Sequence, residues 1–215
     1  TWSLQDSAFL GTEIGLSLSP EFIDIDGDED YDLFVGDYNG RITYFKNEGT
    51  PLNHNFVSTG YLQDIDLGFF STPKFCDIDA DGDYDLFVGN YEGGLYFYLN
   101  DGDGGNYNFI ETTIEIEGIE ELSRTSPELY DLDLDGDFDL ILGTGNSGII
   151  IYWNTGTENW FNFVPDTCAE VPYMGMHLKP IISNITGQNT MDFYTGLSTG
   201  GVLHYIISPS GDVNS

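Results

Sequence analysis

Short apolar stretches, rich in β-branched and aromatic residues, alternate along the chain with clusters of Gly, Asn, Asp and Pro. That punctuation predicts strands and tight turns. No apolar period long enough to predict a helix interrupts it. The first stretches, "EFIDI", "YDLFVG", "RITYFKN" and "FVSTGYL", read as strands A to D of one unit, and the unit recurs. A run ending in glycine returns as "LFVG" at Gly36, "LFVG" at Gly89, "LILG" at Gly143 and "FYTG" at Gly196. A proline stands ahead of each, at Pro20, Pro73, Pro127 and Pro180, and "ITYF", "LYFY", "IIIY" or "VLHY" follows. Equivalent positions lie 53 or 54 residues apart, the mark of a repeat architecture.

Four strands per repeat predict an all-β fold, a β-propeller of four four-stranded blades. The fourth repeat stops after its C strand, and the N-terminal "WSLQDSAF" aligns one repeat back from "FVSTGYLQ". The N-terminal strand is therefore expected to close the ring as the outer strand of the last blade, which removes an open sheet edge. The alternative is a segment of a larger propeller. The expected domain covers residues 1–208, with repeats near 13–65, 66–119, 120–172 and 173–208 plus 1–12, and residues 209–215 read as a tail or linker.

Between strands A and B the chain turns acidic. "DIDGDEDYD" carries Asp24, Asp26, Asp28, Asp30 and Asp32; "DIDADGDYD" carries Asp77, Asp79, Asp81, Asp83 and Asp85; "DLDLDGDFD" carries Asp131, Asp133, Asp135, Asp137 and Asp139. Like charges so close repel unless a cation is shared. Carboxylates at positions 1, 3, 5 and 9 of a tight loop can converge on one hard ion, and calcium takes six to eight oxygens with tolerance for mixed ligands. Zinc prefers nitrogen and sulfur, which these loops lack. Three calcium ions are expected, their binding energy serving as folding energy. Position 7 is expected to offer its carbonyl. Gly82 and Gly136 hold position 6, where such a loop turns sharply; the first loop has Glu29 there, so it must differ in backbone or accept strain. Tyr31, Tyr84 and Phe138 are expected to pack beneath their loops. In the fourth repeat "NITGQNTMD" keeps only Asp192, so no calcium is expected there.

The formal net charge is −32, from 37 acids against five Lys and Arg. Three divalent ions would reduce it to about −26. So acidic a chain is not expected to bind nucleic acid through its phosphates, nor an anionic membrane. No stretch has the length and apolarity of a transmembrane helix. The opening "TWSLQDS" reads as a mature or trimmed end rather than a signal peptide. Cys76, in an inner strand, and Cys168, near an outer one, are expected to lie too far apart for a disulfide.

The acidic loops, the "DLFVG", "DLFVG" and "DLILG" that follow them, and "YFKNEGT" and "FYLNDGDG" after strand C together resemble the FG-GAP/VCBS repeat family. Its members form calcium-binding β-propellers, the integrin α-subunit head among them. The resemblance spans nearly the whole chain. It implies, residue by residue, that the fifteen Asp residues of the three loops form metal sites, position 7 through its carbonyl.

Scaffold residues recur in every repeat, whereas ligand-binding residues are free to differ. On the face bearing the B–C turns and D–A connections, Phe70, Arg124 and His177 share one repeat position and differ, and Tyr38 and Tyr91 stand on the turns. These five are the candidate ligand-binding residues, for a glycan or a protein. Leu16, Phe69 and Met176, one position earlier, are expected to pack. His54, His177 and His204 form no catalytic motif, so a non-enzymatic binding or adhesion module, secreted or on the cell surface, is expected. A self-associating subunit of an extracellular fibre is the first alternative and a polysaccharide-degrading enzyme the second. Asn184 in "NIT" is a candidate glycosylation acceptor.

Overall fold

A computed structural model describes residues 10, 14–102, 105–119, 122–157, 160–166, 179–183, 191–196 and 201–207. Among the described residues, fifteen strands build four antiparallel sheets, arranged as a four-bladed β-propeller. The first blade has β1 (Ser19–Ile23), β2 (Asp32–Gly36), β3 (Arg41–Asn47) and β4 (Phe56–Asp66). The second has β5 (Thr72–Cys76), β6 (Asp85–Gly89), β7 (Leu95–Asn100) and β8 (Phe109–Thr112). The third has β9 (Ser126–Tyr130), β10 (Asp139–Gly143), β11 (Ile149–Asn154) and β12 (Phe163–Pro165). In the fourth, β13 (Lys179–Ser183), β14 (Met191–Gly196) and β15 (Val202–Ile207) are described. Each sheet runs in sequence order from the axis outward.

The recurring proline lies inside the innermost strand, at Pro20, Pro73, Pro127 and Pro180. That strand pairs on one side only, so a residue without N–H is tolerated there. The second strand of each of the first three blades is buried on both faces, which explains a continuous apolar run instead of alternation. Its residues alternate between neighbours. Leu86 and Val88 pack toward the first blade while Phe87 packs toward the third; Leu140 and Leu142 face the second blade while Ile141 faces Ile182 and Phe193 of the fourth. The core therefore lies between blades.

The glycine that ends this run is a close-approach residue. A Cβ on Gly36 would stand 2.2 Å from the Ser71 carbonyl oxygen, and one on Gly89 would stand 2.3 Å from that of Thr125. The entry segment of the next blade occupies the space a side chain would need.

At the axis, Glu21, Lys74, Glu128 and Ile181 hold equivalent register positions. Lys74 Nζ bridges Glu21 Oε1 at 2.9 Å and Glu128 Oε1 at 3.2 Å. Burial pushes the Glu128 carboxyl up to about 7 despite Lys74. Lys179 Nζ donates to Ser19 Oγ at 2.7 Å, which joins the last blade to the first.

Leu10 and Ile14 pack on Leu33, Val35 and Phe45, the face of the first sheet turned away from the second blade. The expected pairing of "WSLQDSAF" with the last blade lies outside the described residues, as do Cys168, His177 and residues 184–190. Cys76 is a buried free thiol.

Candidate metal centres and a variable face

Each acidic loop is wound around its own first carboxylate. Asp24 accepts from the N–H groups of Gly27, Asp28 and Glu29; Asp77 accepts from Asp81 and Gly82; Asp131 accepts from Asp135 and Gly136. The position 5 carboxylate then accepts from the N–H of position 7, in Asp28, Asp81 and Asp135. So tight a coil needs two left-handed residues. Position 6 supplies one, with φ of 69° at Glu29, 98° at Gly82 and 104° at Gly136. Glu29 thus keeps the loop shape at the cost of strain. Position 4 supplies the other, at Gly27, Ala80 and Leu134.

Position 9 begins the second strand and is buried in all three loops, at Asp32, Asp85 and Asp139. Asp85 accepts from the N–H of Asn100 at 2.8 Å and of Ile78 at 3.2 Å. Asp139 accepts likewise from Asn154 and Leu132, and Asp32 from the Asn47 N–H and the Tyr44 hydroxyl. Burial pushes these carboxyls up, Asp32 to about 6, Asp85 to about 7 and Asp139 to about 6. An isolated buried carboxylate is costly, so the sites as arranged favour a cation or a proton.

Carboxylate oxygens converge in each loop. Asp77, Asp79 and Asp85 bring theirs within 4.8 Å of one another, as do Asp131, Asp133 and Asp139. In the first loop the converging set is Asp24, Asp26 and Asp28, and Lys46 Nζ forms an ion pair with Asp26. Asp26 Oδ1 and Asp79 Oδ1 are buried without a hydrogen-bond partner. All-oxygen clusters with orphaned buried oxygens fit a hard divalent cation. Among position 7 residues, Asp30 is buried, its Oδ1 also without a partner, while Asp83 and Asp137 are half-buried. In the last blade Asp192 is buried and its Oδ1 lies 2.7 Å from His204 Nε2.

Two packing expectations are corrected. Tyr31 is 65% exposed and Tyr84 is exposed too; only Phe138 packs into the core. Leu16 is 72% exposed and Phe69 lies edge-on to Tyr38 rather than in the core. Met176 lies outside the described residues.

The repeats hold one residue that the motif reading missed. Asn47, Asn100 and Asn154 close the third strand of the first three blades, and their Oδ1 atoms accept from the backbone on both sides of the following turn. Their own N–H groups hold position 9 of the loop. The signal was present as an Asn recurring at the repeat spacing.

On the opposite face, backbone bonds run from blade to blade. Tyr38 N–H donates to Leu16 O and Phe70 N–H to Tyr38 O; Tyr91 N–H donates to Phe69 O and Arg124 N–H to Tyr91 O. Four of the five candidate ligand residues meet here. Tyr38 and Phe70 have centroids 4.8 Å apart, Phe70 and Tyr91 are stacked at 5.6 Å, and the Arg124 guanidinium lies 4.4 Å over Tyr91. His177, the fifth, is outside the described residues.

The raised carboxyls set a pH dependence. In calcium-free protein the native state holds protons on Asp32, Asp85 and Asp139 above the ordinary 3.8, so it binds more protons than the unfolded chain between that value and about 7. Stability is then fully present at the acid end of this window and falls as pH rises through it. Melts in chelator are expected to show a higher Tm at pH 5 than at pH 8. With calcium the order reverses, because ions compete with protons for the same oxygens. The same order in both solutions would contradict this.

The family described as an FG-GAP-like repeat matches residues 77–142. Among curated proteins none matches the chain. The matched span runs from the second acidic loop into β10 and includes the whole third loop. Within this four-bladed propeller, residues 77–142 carry an FG-GAP-like repeat.

Proposed function

We propose that this protein is a calcium-stabilised propeller acting outside the cell as a non-enzymatic binding module for a glycan or protein. The observation that carries the reading is the division between two faces. One face repeats an all-oxygen cluster at the same phase of three blades, and the other presents different side chains at one repeat position, Phe70 and Arg124. Repetition serves the scaffold, and variation serves a ligand. Propeller repeats are a binding architecture, and the match to an FG-GAP-like repeat supports that use here.

Calcium would be held by Asp77, Asp79 and Asp85 in the second loop, by Asp131, Asp133 and Asp139 in the third, and by Asp24, Asp26 and Asp28 in the first. It supplies charge neutralisation. The first site is expected to be the weakest, since Lys46 already pairs with Asp26. Calcium sites of extracellular modules bind in the 10⁻⁴–10⁻³ M range, which suits an exterior location. The non-enzymatic reading rests on the sequence, whose three histidines form no catalytic motif. His204 is engaged with Asp192 and stacked on Tyr194, and His54 stacks on Phe56.

A glycan array and size-exclusion chromatography, each with calcium and with chelator, test this function. A monomer that recognises glycans or a protein only in calcium is expected. Calcium-dependent polymers without ligand recognition would favour a fibre subunit, and cleavage of a bound polysaccharide would make the protein an enzyme.

A further inference from the structure

Between the first and second blades opens a cleft of about 480 Å³. One wall is the end of β4 and the turn after it, with Ile65, Asp66 and Leu67; the other is the second sheet, with Tyr96, Tyr98 and Glu111. Glu111 on β8 lies directly across from Tyr98 on β7, and Tyr96 is two residues along, so the three share one face of the sheet. Glu92, on the turn before β7, also lines the cleft. Gln63 ties the walls together, its Oε1 accepting from the Phe109 N–H of β8 at 2.8 Å. Tyr98 is only 6% exposed, yet it lines the cleft, and among the described residues its hydroxyl makes no hydrogen bond. Burial, then Glu111 and Tyr96, push that hydroxyl up to about 12, so it keeps its proton. At the same register Phe45 has no hydroxyl, and Tyr152 gives its own to Glu117 O at 3.3 Å. Tyr98 is thus a buried polar group that the fold leaves unused, and such groups call for a partner. At the next junction the space is filled. Ile150 stands at the register of Tyr96 and Pro165 at that of Glu111, and Ile116 and Ile119 pack with Ile150 and Tyr152 in the core.

We propose that this cleft receives a lysine side chain of a partner protein, its ammonium at the Tyr98 hydroxyl and the Glu111 carboxylate and its methylene stem along Ile65 and Leu67. The proposal rests on the binding-module reading and names the partner's chemistry. Three carboxylates and no cation line the cleft. Asp66 has Arg41 at 3.7 Å, but both are exposed and such a contact is weak. Among the described residues Glu92 and Glu111 have no ion pair. A carboxylate only accepts hydrogen bonds, and a lysine ammonium has three donors and no acceptor. A sugar hydroxyl also brings lone pairs that need donors, and here only the tyrosines have one to give. A bare metal ion suits the cleft less well. Among the described residues, the sets of three acids within 4.8 Å of one another are those of the acidic loops, so Asp66, Glu92 and Glu111 stand wider apart. Lysine fits better than arginine because Tyr98 is recessed, and a compact head on a flexible four-carbon stem reaches where a planar fork is broad.

The test is titration of the full chain, in calcium, with a capped Gly-Lys-Gly peptide, the same peptide with norleucine or with arginine in place of lysine, and a glucosamine trisaccharide with free amines. The lysine peptide is expected to bind at least about tenfold tighter than each of the others, and to weaken as salt rises. Tyr98→Phe, which removes only the hydroxyl and places at this register the residue type of Phe45, is expected to lose about threefold or more. Glu111→Gln is expected to lose about tenfold, as befits a charged hydrogen bond. Both should melt like the parent. Glu48→Gln removes one charge from an exposed acid that does not line the cleft, and is expected to change nothing. Equal losses in Glu48→Gln and Glu111→Gln would reveal a general attraction to an acidic surface and overturn the proposal. So would full binding by folded Tyr98→Phe. Tighter binding of the arginine peptide or the amino sugar would overturn the lysine assignment yet leave the binding-module reading standing. Failure of all four ligands would also overturn it, and the array then judges the module reading separately.

Discussion

Chelating calcium is expected to lower the melting temperature of this protein by roughly 15–30 °C. A ligand present at 100 times its Kd stabilises the native state by about 2.7 kcal/mol, so three independent sites would contribute roughly 8 kcal/mol. A domain of this size shifts by about 2–4 °C for each kcal/mol. Against a typical total stability of about 5–15 kcal/mol, the calcium-free protein would be marginal. The physical reason lies in the loops: three carboxylates within 4.8 Å of one another repel, and the buried one resists ionisation in the absence of a cation. Differential scanning calorimetry with and without chelator measures the effect. Superimposable melts would remove calcium from this account.

The second large effect is expected from Asp85→Ala. Asp85 is buried and its two oxygens accept from the backbone N–H groups of Asn100 and Ile78. Alanine leaves two buried donors without a partner, at about 1–3 kcal/mol each, and this loss remains in chelator. With calcium present the loss of a site adds to it. Asp81→Ala is the comparison. Asp81 is exposed and accepts one local bond from Asp83, so its removal in chelator should cost no more than about 1 kcal/mol. Urea melts of both variants in both solutions separate the two contributions. Equal losses for Asp81→Ala and Asp85→Ala in chelator would show that position 9 has no structural role of its own.

The repeat was legible because each of its parts answers a separate constraint. Pro20, Pro73, Pro127 and Pro180 mark the unpaired edge at the axis, and Gly36 and Gly89 mark where the next blade passes too close for a Cβ. Alternating Asp residues mark the loops. Strain was legible only where chemistry made it conspicuous. Glu29 in place of glycine raised the question at position 6, but Ala80 and Leu134 gave no warning that position 4 is also left-handed. Tertiary partners were not legible at all. Lys46 on Asp26 joins residues twenty apart in the chain, and Lys179 on Ser19 joins residues 160 apart; nothing local to either lysine points to its partner. The aromatic face was half legible. Differences at one repeat position singled out Phe70 and Arg124, but only the fold stacks them with Tyr91.

The loops are metal sites in this account, and counting ions tests that most directly. Native mass spectrometry of the calcium-equilibrated protein should find three calcium ions per chain, two in Asp85→Ala, two in Asp139→Ala and three in Asp192→Ala. A chain that carries no calcium, or a count that Asp85→Ala and Asp139→Ala leave unchanged, would contradict it.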